Sequence, residues 1–305
     1  MTLPPLPAAA FAAILWGFTY IVTTSMLPQN PMFIAAVRAL GGALPLLLLA
    51  REFPPRQWWG RIIVLGTLNS ALFFALLFVA AIRLPGGMAA TFQALGPLFM
   101  VLLAWPLLGA IPSRSKLVAV GLGVVGVAMV VLKGNATLDL IGVAAALGAA
   151  LSVALGSSLV HKWGRPGSIL GLTGWQMAIA GVELSVVAAL LGDIPTSLGA
   201  INILGLAIIA LIVTALAFAL WFSAVQSAGP SAVAPMMLLT PLTAFALDAI
   251  FRGFLPSPVQ SLGVAIVIGS LLYGQHVDRR AFRVAHHHAP SARQVATRST
   301  GVAAE

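Results

Sequence analysis

Long apolar stretches alternate with short polar breaks along almost the whole chain. Ten stretches of roughly twenty mostly apolar residues occur, each long enough to cross about 30 Å of hydrocarbon as a helix. They lie at 7–27, 32–50, 61–82, 87–108, 116–132, 140–160, 168–191, 200–224, 231–251 and 258–276. The breaks hold the prolines, glycines and charges that end helices. Because lipid offers the backbone no hydrogen-bond partners, and the stretches are too long for barrel strands, the pattern predicts an all-α membrane protein with ten transmembrane helices.

One short pattern occurs twice, 144 residues apart. The sequence "GAIPS" at 109–113 has a counterpart in "GFLPS" at 253–257, and each copy follows a proline, Pro97 or Pro241, by twelve positions. In a chain rich in leucine and alanine, matches of those two residues occur by coincidence. Matches of two prolines, a glycine and a serine at one constant spacing do not. An internal repeat is therefore the better interpretation.

The repeat divides the chain into a first unit at 7–133 and a second unit at 140–276, each with five predicted helices. Because five is odd, the second unit must enter the membrane from the opposite side. Two units inverted in this way around a central cavity are typical of secondary transporters. The matched prolines lie inside the fourth and ninth helices. Each is predicted to kink its helix, either as an ordinary membrane-helix kink or in a role at the interface of the repeats.

Composition and charge agree with a membrane protein. Of the 305 residues, 60% are hydrophobic and 8% are charged. The net charge of +9 does not indicate a nucleic-acid partner, because the basic residues follow the predicted topology. If the N-terminus is cytoplasmic, twelve of the sixteen lysines and arginines lie in inner loops or the tail, three lie in outer loops and Arg38 lies within a helix. The positive-inside rule then places both termini in the cytoplasm. The predicted location is a bacterial-type inner membrane.

The two ends of the chain lie outside the predicted helices. Residues 1–6 form a short cytoplasmic N-terminus, and the first helix, which has no basic leader and is too long for a signal-peptide core, is predicted to be retained. Residues 277–305 lose the apolar pattern and are predicted to form a disordered cytoplasmic tail, with His286–His288 solvated rather than bound to a metal. The chain has no cysteine, so disulfides play no part in the fold.

A family resemblance rests on "AAILWGFTYIV" in the first helix, Arg38 in "FIAAVRALGGAL" and the two proline–glycine hairpins. These residues resemble the drug/metabolite transporter superfamily, in its EamA-type branch, and among its members the YddG-type exporters of aromatic amino acids. The resemblance covers about 7–276 and implies that the fifth and tenth helices are peripheral while the others surround the cavity. The superfamily usually has a glutamate after the hairpin glycine. Here Ala110 and Phe254 occupy that position, so no role of that acid carries over.

Other motifs argue against an enzyme or a nucleotide-binding protein. The sequence "GLGVVG" at 121–126 fits a dinucleotide fingerprint by letter, but it lies inside an apolar helix and is better explained by close helix packing. The chain has no P-loop, H-E-x-x-H or G-x-S-x-G motif, so no catalytic residue, cofactor or metal is predicted. It also places no lysine in the middle of a helix, where a sugar-phosphate carrier would be expected to need one.

Three charged side chains lie within predicted helices, where they are costly and tend to mark pathways. Arg38 and Glu183 fall at one depth on the equivalent second and seventh helices. We expect both to face the outer half of the cavity, although Arg38 could instead reach the membrane surface. Asp248 lies four residues before Arg252, a spacing that favours a local ion pair.

Polar and aromatic residues within the helices are the candidates for lining the cavity. Taken singly, each aromatic is better explained by packing, but together they suit a partly apolar solute with a polar end. The candidates are Trp16, Thr19, Tyr20, Asn69, Phe78, Gln93, Ser157, Trp175, Gln176 and Phe222.

These features predict a secondary transporter that exports small amphipathic metabolites, and the resemblance implies amino acids, including aromatic ones, as substrates. Its predicted partners are a small-molecule substrate and the lipid bilayer, with the oligomeric state left open. A broad-specificity drug or metabolite effluxer is the alternative within transport. A membrane-embedded enzyme or receptor is the alternative outside it.

Overall fold

The computed structural model describes residues 4–132 and 139–287, and within these ranges the chain is helical with no strand. The long helices of these ranges are α1 Pro5–Met26, α2 Pro31–Ala50, α3 Arg56–Arg83, α4 Gly86–Leu108, α5 Arg114–Leu132, α6 Leu140–Trp163, α7 Ile169–Leu191, α8 Ala200–Ala228, α9 Ala234–Arg252 and α10 Pro258–His287. Nine of these described helices, all except α5, are long and apolar enough to cross a membrane. The prediction of an all-α membrane protein is therefore confirmed for the described chain.

Each helix of the first half has an equivalent five helices later in the chain. The main contacts between helices stay the same when every helix is replaced by its equivalent. Helices α2 and α7, α4 and α9, and α5 and α10 pack as pairs of equivalents. The contacts of α1 with α8 and α9 are repeated by those of α6 with α3 and α4. Helices α5 and α10 pack mainly on each other.

The paired equivalents run antiparallel, as their glycine contacts show. A Cβ atom at Gly174 of α7 would touch Leu47 of α2, and one at Gly181 would touch Leu40, so residue numbers rise on one helix as they fall on the other. The α5–α10 pair behaves in the same way. Small residues allow this close approach between membrane helices.

Both predicted hairpins have the same backbone geometry. Gly109 and Gly253 end α4 and α9 in the left-handed region, with φ of 70° and 62°. The next residue's N–H bonds six residues back in each case, Ala110 to the carbonyl of Ala104 and Phe254 to that of Asp248, both at 3.2 Å. This is the glycine-dependent cap that satisfies carbonyl groups at a helix end. It explains why the same residues stand 144 positions apart.

The serines of the hairpins have equivalent roles as well. The Ser113 hydroxyl accepts a bond from the N–H of Lys116 at 3.4 Å, and the Ser257 hydroxyl accepts one from the N–H of Gln260 at 3.3 Å. Each serine therefore caps the helix that follows its turn. The repeated sequence therefore corresponds to a repeated set of capping hydrogen bonds at the two turns.

Irregular backbone also recurs at equivalent places. Helix α3 widens to π-helical turns over Thr67–Leu72, and α8 does so over Ile208–Leu216. Helix α4 consists of Gly86–Gln93 and Gly96–Leu108 with a break just before Pro97. Helix α9 begins as a 3₁₀ segment before Pro241, preceded by a short turn. Pro97 thus follows a break in its helix and Pro241 follows a change from 3₁₀ to α-helix, as expected for residues that lack a backbone donor.

The start of α6 is fixed by Asp139. One carboxylate oxygen accepts bonds from the N–H groups of Ile141 and Gly142 at 2.8 and 3.1 Å, which caps the helix. The other oxygen is 2.6 Å from a guanidinium nitrogen of Arg83, at the end of α3. The bond to Arg83 is the main cause that lowers the pKa of Asp139.

The last helix differs from the sequence prediction. Helix α10 continues to His287, whereas the chain from 277 onward was predicted to be disordered. No proline or glycine interrupts 277–287, so nothing in this segment ends the helix when the apolar pattern does. The rest of the predicted tail, 288–305, lies outside the described residues, as do 1–3 and 133–138.

Two glycines of "GLGVVG" provide a matched test of the packing between α5 and α10. A Cβ atom at Gly126 would lie 2.7 Å from the carbonyl oxygen of Gly263, whereas one at Gly121 would meet nothing within 4 Å. Gly126→Ala is expected to destabilise the protein by about 1–3 kcal/mol through overpacking. Gly121→Ala should be neutral or stabilising by up to about 1 kcal/mol, through helix propensity. Thermal unfolding of the detergent-solubilised variants measures the difference, and equal midpoints would contradict the close crossing.

Candidate functional site

The inner faces of the first four helices hold a group of polar and aromatic side chains that we call the central cluster. Its members are Tyr20 on α1, Arg38 on α2, Phe74 and Phe78 on α3, and Gln93 on α4. Four of these five residues were candidates from the sequence. Phe74 was not among those candidates.

Arg38 is buried in this cluster without an ionic partner. Its side chain is 2% exposed, and its guanidinium carbon lies 4.6 Å from the centre of the Phe74 ring and 5.7 Å from that of Phe78. Cation–π contacts of this kind contribute about 0.5–2 kcal/mol. The Nε and one terminal nitrogen have no hydrogen-bond partner among the described residues. Burying an unpaired charge costs more free energy than these contacts return.

Tyr20 and Gln93 add a second incomplete polar group. The Tyr20 hydroxyl donates to the Gln93 side-chain carbonyl at 3.0 Å, and the chain at Gly86 packs directly on Tyr20. This bond fixes the orientation of the Gln93 amide. Its nitrogen is buried and has no partner in the described structure, which leaves a donor available.

Asn69 and Gln176 form a polar contact between the two repeats. The Asn69 nitrogen donates to the Gln176 side-chain oxygen at 3.1 Å, and the Asn69 oxygen is buried without a partner among the described residues. Asn69 lies in the π-helical part of α3, where the Leu68 carbonyl accepts a bond from Ser152 at 2.6 Å. Sequence reasoning missed Ser152, because its partner is a carbonyl released by irregular backbone.

An aromatic group lies between α1 and α8. The Trp16 ring is 5.2 Å from Phe218 and 5.3 Å from Trp221, and Phe218 is 5.6 Å from Phe222. The indole nitrogen of Trp16 is buried without a partner in the described structure. Of these four residues, Trp16 and Phe222 were candidates from the sequence, whereas Phe218 and Trp221 were not.

Two further candidates from the sequence, Thr19 and Ser157, make no contact of this kind in the described structure. Thr19 is buried on α1, where its carbonyl accepts a bond from the Thr23 hydroxyl at 2.6 Å. Ser157 is half-buried on α6. The structure gives neither side chain a contact with the central cluster.

Trp175 lies away from the central cluster, in contrast to the expectation. Its indole nitrogen donates to the carbonyl of Glu52 at 2.9 Å, and its ring packs against Phe53 and Trp59 at 5.0 and 5.2 Å. These partners belong to the loop between α2 and α3 and to the start of α3. Trp175 therefore anchors a loop at one end of α7.

Glu183 also differs from the expectation that it shares a cavity face with Arg38. Its carboxyl group contacts the Thr67 hydroxyl at 2.8 Å, on an exposed face beside Val182 and Val186. Arg38 points to the interior instead, and the described residues contain no ion pair between them. The two residues match in depth along their helices. The rotation of a helix about its axis, which sequence position does not determine, separates them.

Asp248 bonds to another helix more closely than to Arg252. It is 1% exposed, and one oxygen accepts a bond from the N–H of Gly87 at 2.9 Å. The nearest Arg252 nitrogen is 4.0 Å from the other oxygen, and that arginine is 44% exposed at its side chain. Asp248 therefore caps the first turn of α4, joining the second repeat to the helix that carries Gln93.

Comparisons with known proteins agree with the fold. The EamA-like transporter family matches residues 4–132 and again 140–273. The chain is 35% identical to Protein PecM of Dickeya dadantii, over 88% of this chain and 92% of that protein. It is 29% identical to the uncharacterized transporter YvbV of Bacillus subtilis, with 79% and 82% covered, and 26% identical to the uncharacterized inner membrane transporter YedA of Escherichia coli K12, with 87% and 88% covered.

A solved structure, titled only as the crystal structure of a protein, shares the fold. It superposes with a TM-score of 0.62 at 19% identity, covering 91% of this chain and 98% of the other. At this identity the likeness concerns the fold alone.

The contributions of Gly87 and Arg252, the two partners of Asp248, to stability can be measured separately with three variants. Asp248→Ala is expected to lower stability by about 1–3 kcal/mol, because a buried N–H loses its acceptor. Asp248→Asn keeps an acceptor oxygen and should lose less. Arg252→Gln should change stability by about 0–1 kcal/mol, because the arginine is 44% exposed and its nearest nitrogen is 4.0 Å from the carboxylate. Thermal unfolding in detergent ranks the three variants, and a loss in Arg252→Gln as large as in Asp248→Ala would show that the ion pair dominates.

Proposed function

The chain belongs to the EamA-like transporter family, and on that premise we propose that this membrane transporter exports small amphipathic metabolites, most readily amino acids including aromatic ones. The observation that carries the proposal is the buried guanidinium of Arg38, whose Nε and one terminal nitrogen have no partner among the described residues. A carboxylate is the anionic group that matches a guanidinium with two adjacent donors.

The remaining open polar atoms suit the other parts of an amino acid. The Asn69 side-chain oxygen is an acceptor that a substrate ammonium could use, and the Gln93 amide is a further donor. The aromatic group of Trp16, Phe218 and Phe222 offers stacking surface for an aromatic side chain. Each of these unpaired polar atoms would then have a hydrogen-bond partner only when substrate is bound, which favours binding of a solute with matching polar groups.

Alternating access between inverted repeats is the proposed mechanism. The antiparallel packing of equivalent helices supports an axis in the membrane plane, with a first unit at 7–133 and a second at 140–276. The separate family match to each half supports the same division. Exchange of conformations between two such units opens a central site to alternate sides. The breaks before Pro97 and Pro241 are the proposed points of bending.

A broad-specificity effluxer is the second candidate, and the aromatic group favours it. Trp16, Phe218 and Trp221 make a surface that would accept many flat apolar solutes without reading a carboxylate. The two candidates differ in the role of Arg38. In an amino-acid exporter Arg38 binds the substrate carboxylate. In a broad-specificity effluxer it only changes the electrostatic potential of the site.

The proposed location is a bacterial inner membrane with both termini in the cytoplasm. The relative YedA is named an inner membrane transporter. The bias of basic residues toward alternate loops supports the orientation.

Substrate recognition by Arg38 is tested by counterflow in liposomes with a panel of labelled amino acids and their amides, which lack the carboxylate. Arg38→Gln is expected to raise the KM for amino acids roughly tenfold or more, because a hydrogen bond to a charged group contributes about 1.5–3 kcal/mol. Arg165→Gln makes the same charge change in an exposed loop and should leave the KM unchanged. If acids and amides move equally well, in the wild type and in Arg38→Gln alike, carboxylate recognition is wrong and the broad effluxer is favoured.

Orientation is tested by single cysteines, since the chain has none of its own. Cysteines at Arg56 and Ser115 are expected to react from the cytoplasmic side, and those at Gln29 and Ser197 from the outer side. A membrane-impermeant maleimide applied to intact cells and to inverted vesicles makes the measurement. Labelling of Ser115→Cys and Ser197→Cys from one side would contradict the inverted arrangement.

A further inference from the structure

Helices α2 and α7 each end in a left-handed residue that is followed at once by a carboxylate. Arg51, with φ of 52°, ends α2 and precedes Glu52. Gly192, with φ of 65°, ends α7 and precedes Asp193. Arg51 is the one non-glycine residue of the described chain with positive φ, so its backbone is held in a disfavoured conformation at this turn.

Asp193 caps the start of α2. One carboxylate oxygen accepts a bond from the N–H of Met32 at 2.7 Å, and the other accepts one from the Asn30 amide at 3.0 Å. Asn30 is the N-cap residue of α2, yet its own side chain makes no capping bond. The cap that the first repeat lacks is therefore supplied by the second repeat.

Glu52 caps the start of α7 in the reciprocal way. Its carboxylate accepts a bond from the N–H of Ser168, the N-cap residue of α7, at 2.8 Å. The Ser168 hydroxyl in turn accepts a bond from Gly171 at 3.0 Å. A Cβ atom at Gly167 would lie 2.6 Å from the same carboxylate, so this glycine makes room for Glu52.

The two caps lie at opposite ends of one antiparallel helix pair. Between them the helices are in contact through Gly174 with Leu47 and Gly181 with Leu40. A carboxylate at a helix start interacts favourably with the helix dipole as well as with its open N–H groups. Each helix is thus tied to the other at both ends and packed against it along the middle.

We propose that Glu52 and Asp193 are positioning residues that hold α2 and α7 as one rigid unit throughout the transport cycle. The unit joins one helix of each repeat, and it keeps Arg38 on α2 in constant register with Gln176 on α7. Motion is then carried by the other helices. The transport role of this unit rests on the proposed function, whereas its rigidity does not.

Rigidity is measured by spin labels on cysteine pairs that flank the caps without replacing any capping residue. Gln29 with Leu190 reports on one end of the pair and Leu49 with Thr173 on the other. Electron–electron distances in liposomes are expected to show a single narrow population at each end. Addition of the amino-acid panel should leave both distances unchanged. Two populations at either end would overturn the proposal, because that end would then open. The measurement needs no flux, so it is independent of whether the substrate class is right.

Cap variants test the two carboxylates themselves. Glu52→Ala and Asp193→Ala are expected to broaden the distance distribution at their own end of the pair. Glu52→Gln and Asp193→Asn keep an acceptor oxygen and should restore the narrow distribution. Asp139→Ala is the matched control, since it removes a carboxylate cap that does not touch this pair. Distances unaffected by the alanine variants would overturn the assignment of Glu52 and Asp193.

A kinetic readout separates positioning from simple loss of stability. The alanine variants should raise the KM for counterflow several-fold, while the maximal rate per folded protein changes little, because the register of Arg38 with its neighbours is loosened. The amide variants should return the KM to the wild-type value. An unchanged KM with a lower amount of folded protein would show that the caps are only structural and would overturn the positioning role.

Discussion

Inside a membrane every polar group has to be satisfied by the protein or by what it binds, and this constraint accounts for most of the structure described here. Backbone groups are satisfied by helices, and helix ends by Asp139, Glu52, Asp193 and Asp248. The exceptions among the described residues lie on the first four helices. The guanidinium of Arg38, with the open atoms of Asn69, Gln93 and Trp16, forms an interior that the described protein leaves incomplete. In the proposed function these open atoms are where a substrate makes its contacts and then loses them.

Features that depend on local chain chemistry could be predicted from the sequence. The apolar segments matched the helices, and the proline, glycine and serine of each hairpin recurred because they perform the same capping steps. Features that depend on the rotation of a helix about its own axis could not be predicted from the sequence. Glu183 and Arg38 match in depth but point differently, and Trp175 faces a loop rather than the centre. Asp248 was paired with its near neighbour Arg252 by spacing, while its closer partner is 161 residues away at Gly87.

The repeats share their backbone more than their chemistry. Phe74 and Phe218 are repeat equivalents, yet Arg38 lies over the first and Trp16 against the second. The Phe74 ring therefore lies against a cation, whereas the ring contacts of Phe218 in the described structure are with Trp16 and Phe222 alone. A symmetric scaffold can present an asymmetric site in this way, since backbone packing sets the fold while single side chains set recognition. An amphipathic solute with one charged end matches that division better than a symmetric or wholly apolar one.

Helix caps and irregular backbone divide the described helices into groups with different capacity to move, although α2 also contains an internal proline, Pro45. Helices α2 and α7 are capped at their starts and packed through glycines, so separating them would expose helix N–H groups and empty close contacts. Helices α3 and α8 contain π-helical turns, α4 is interrupted before Pro97, and α9 begins as a 3₁₀ segment before Pro241. Bending concentrates where the backbone ladder is already broken. If the two repeats exchange conformations, the α2–α7 pair is then the fixed part, and the interrupted helices are those that the exchange can bend at the least cost.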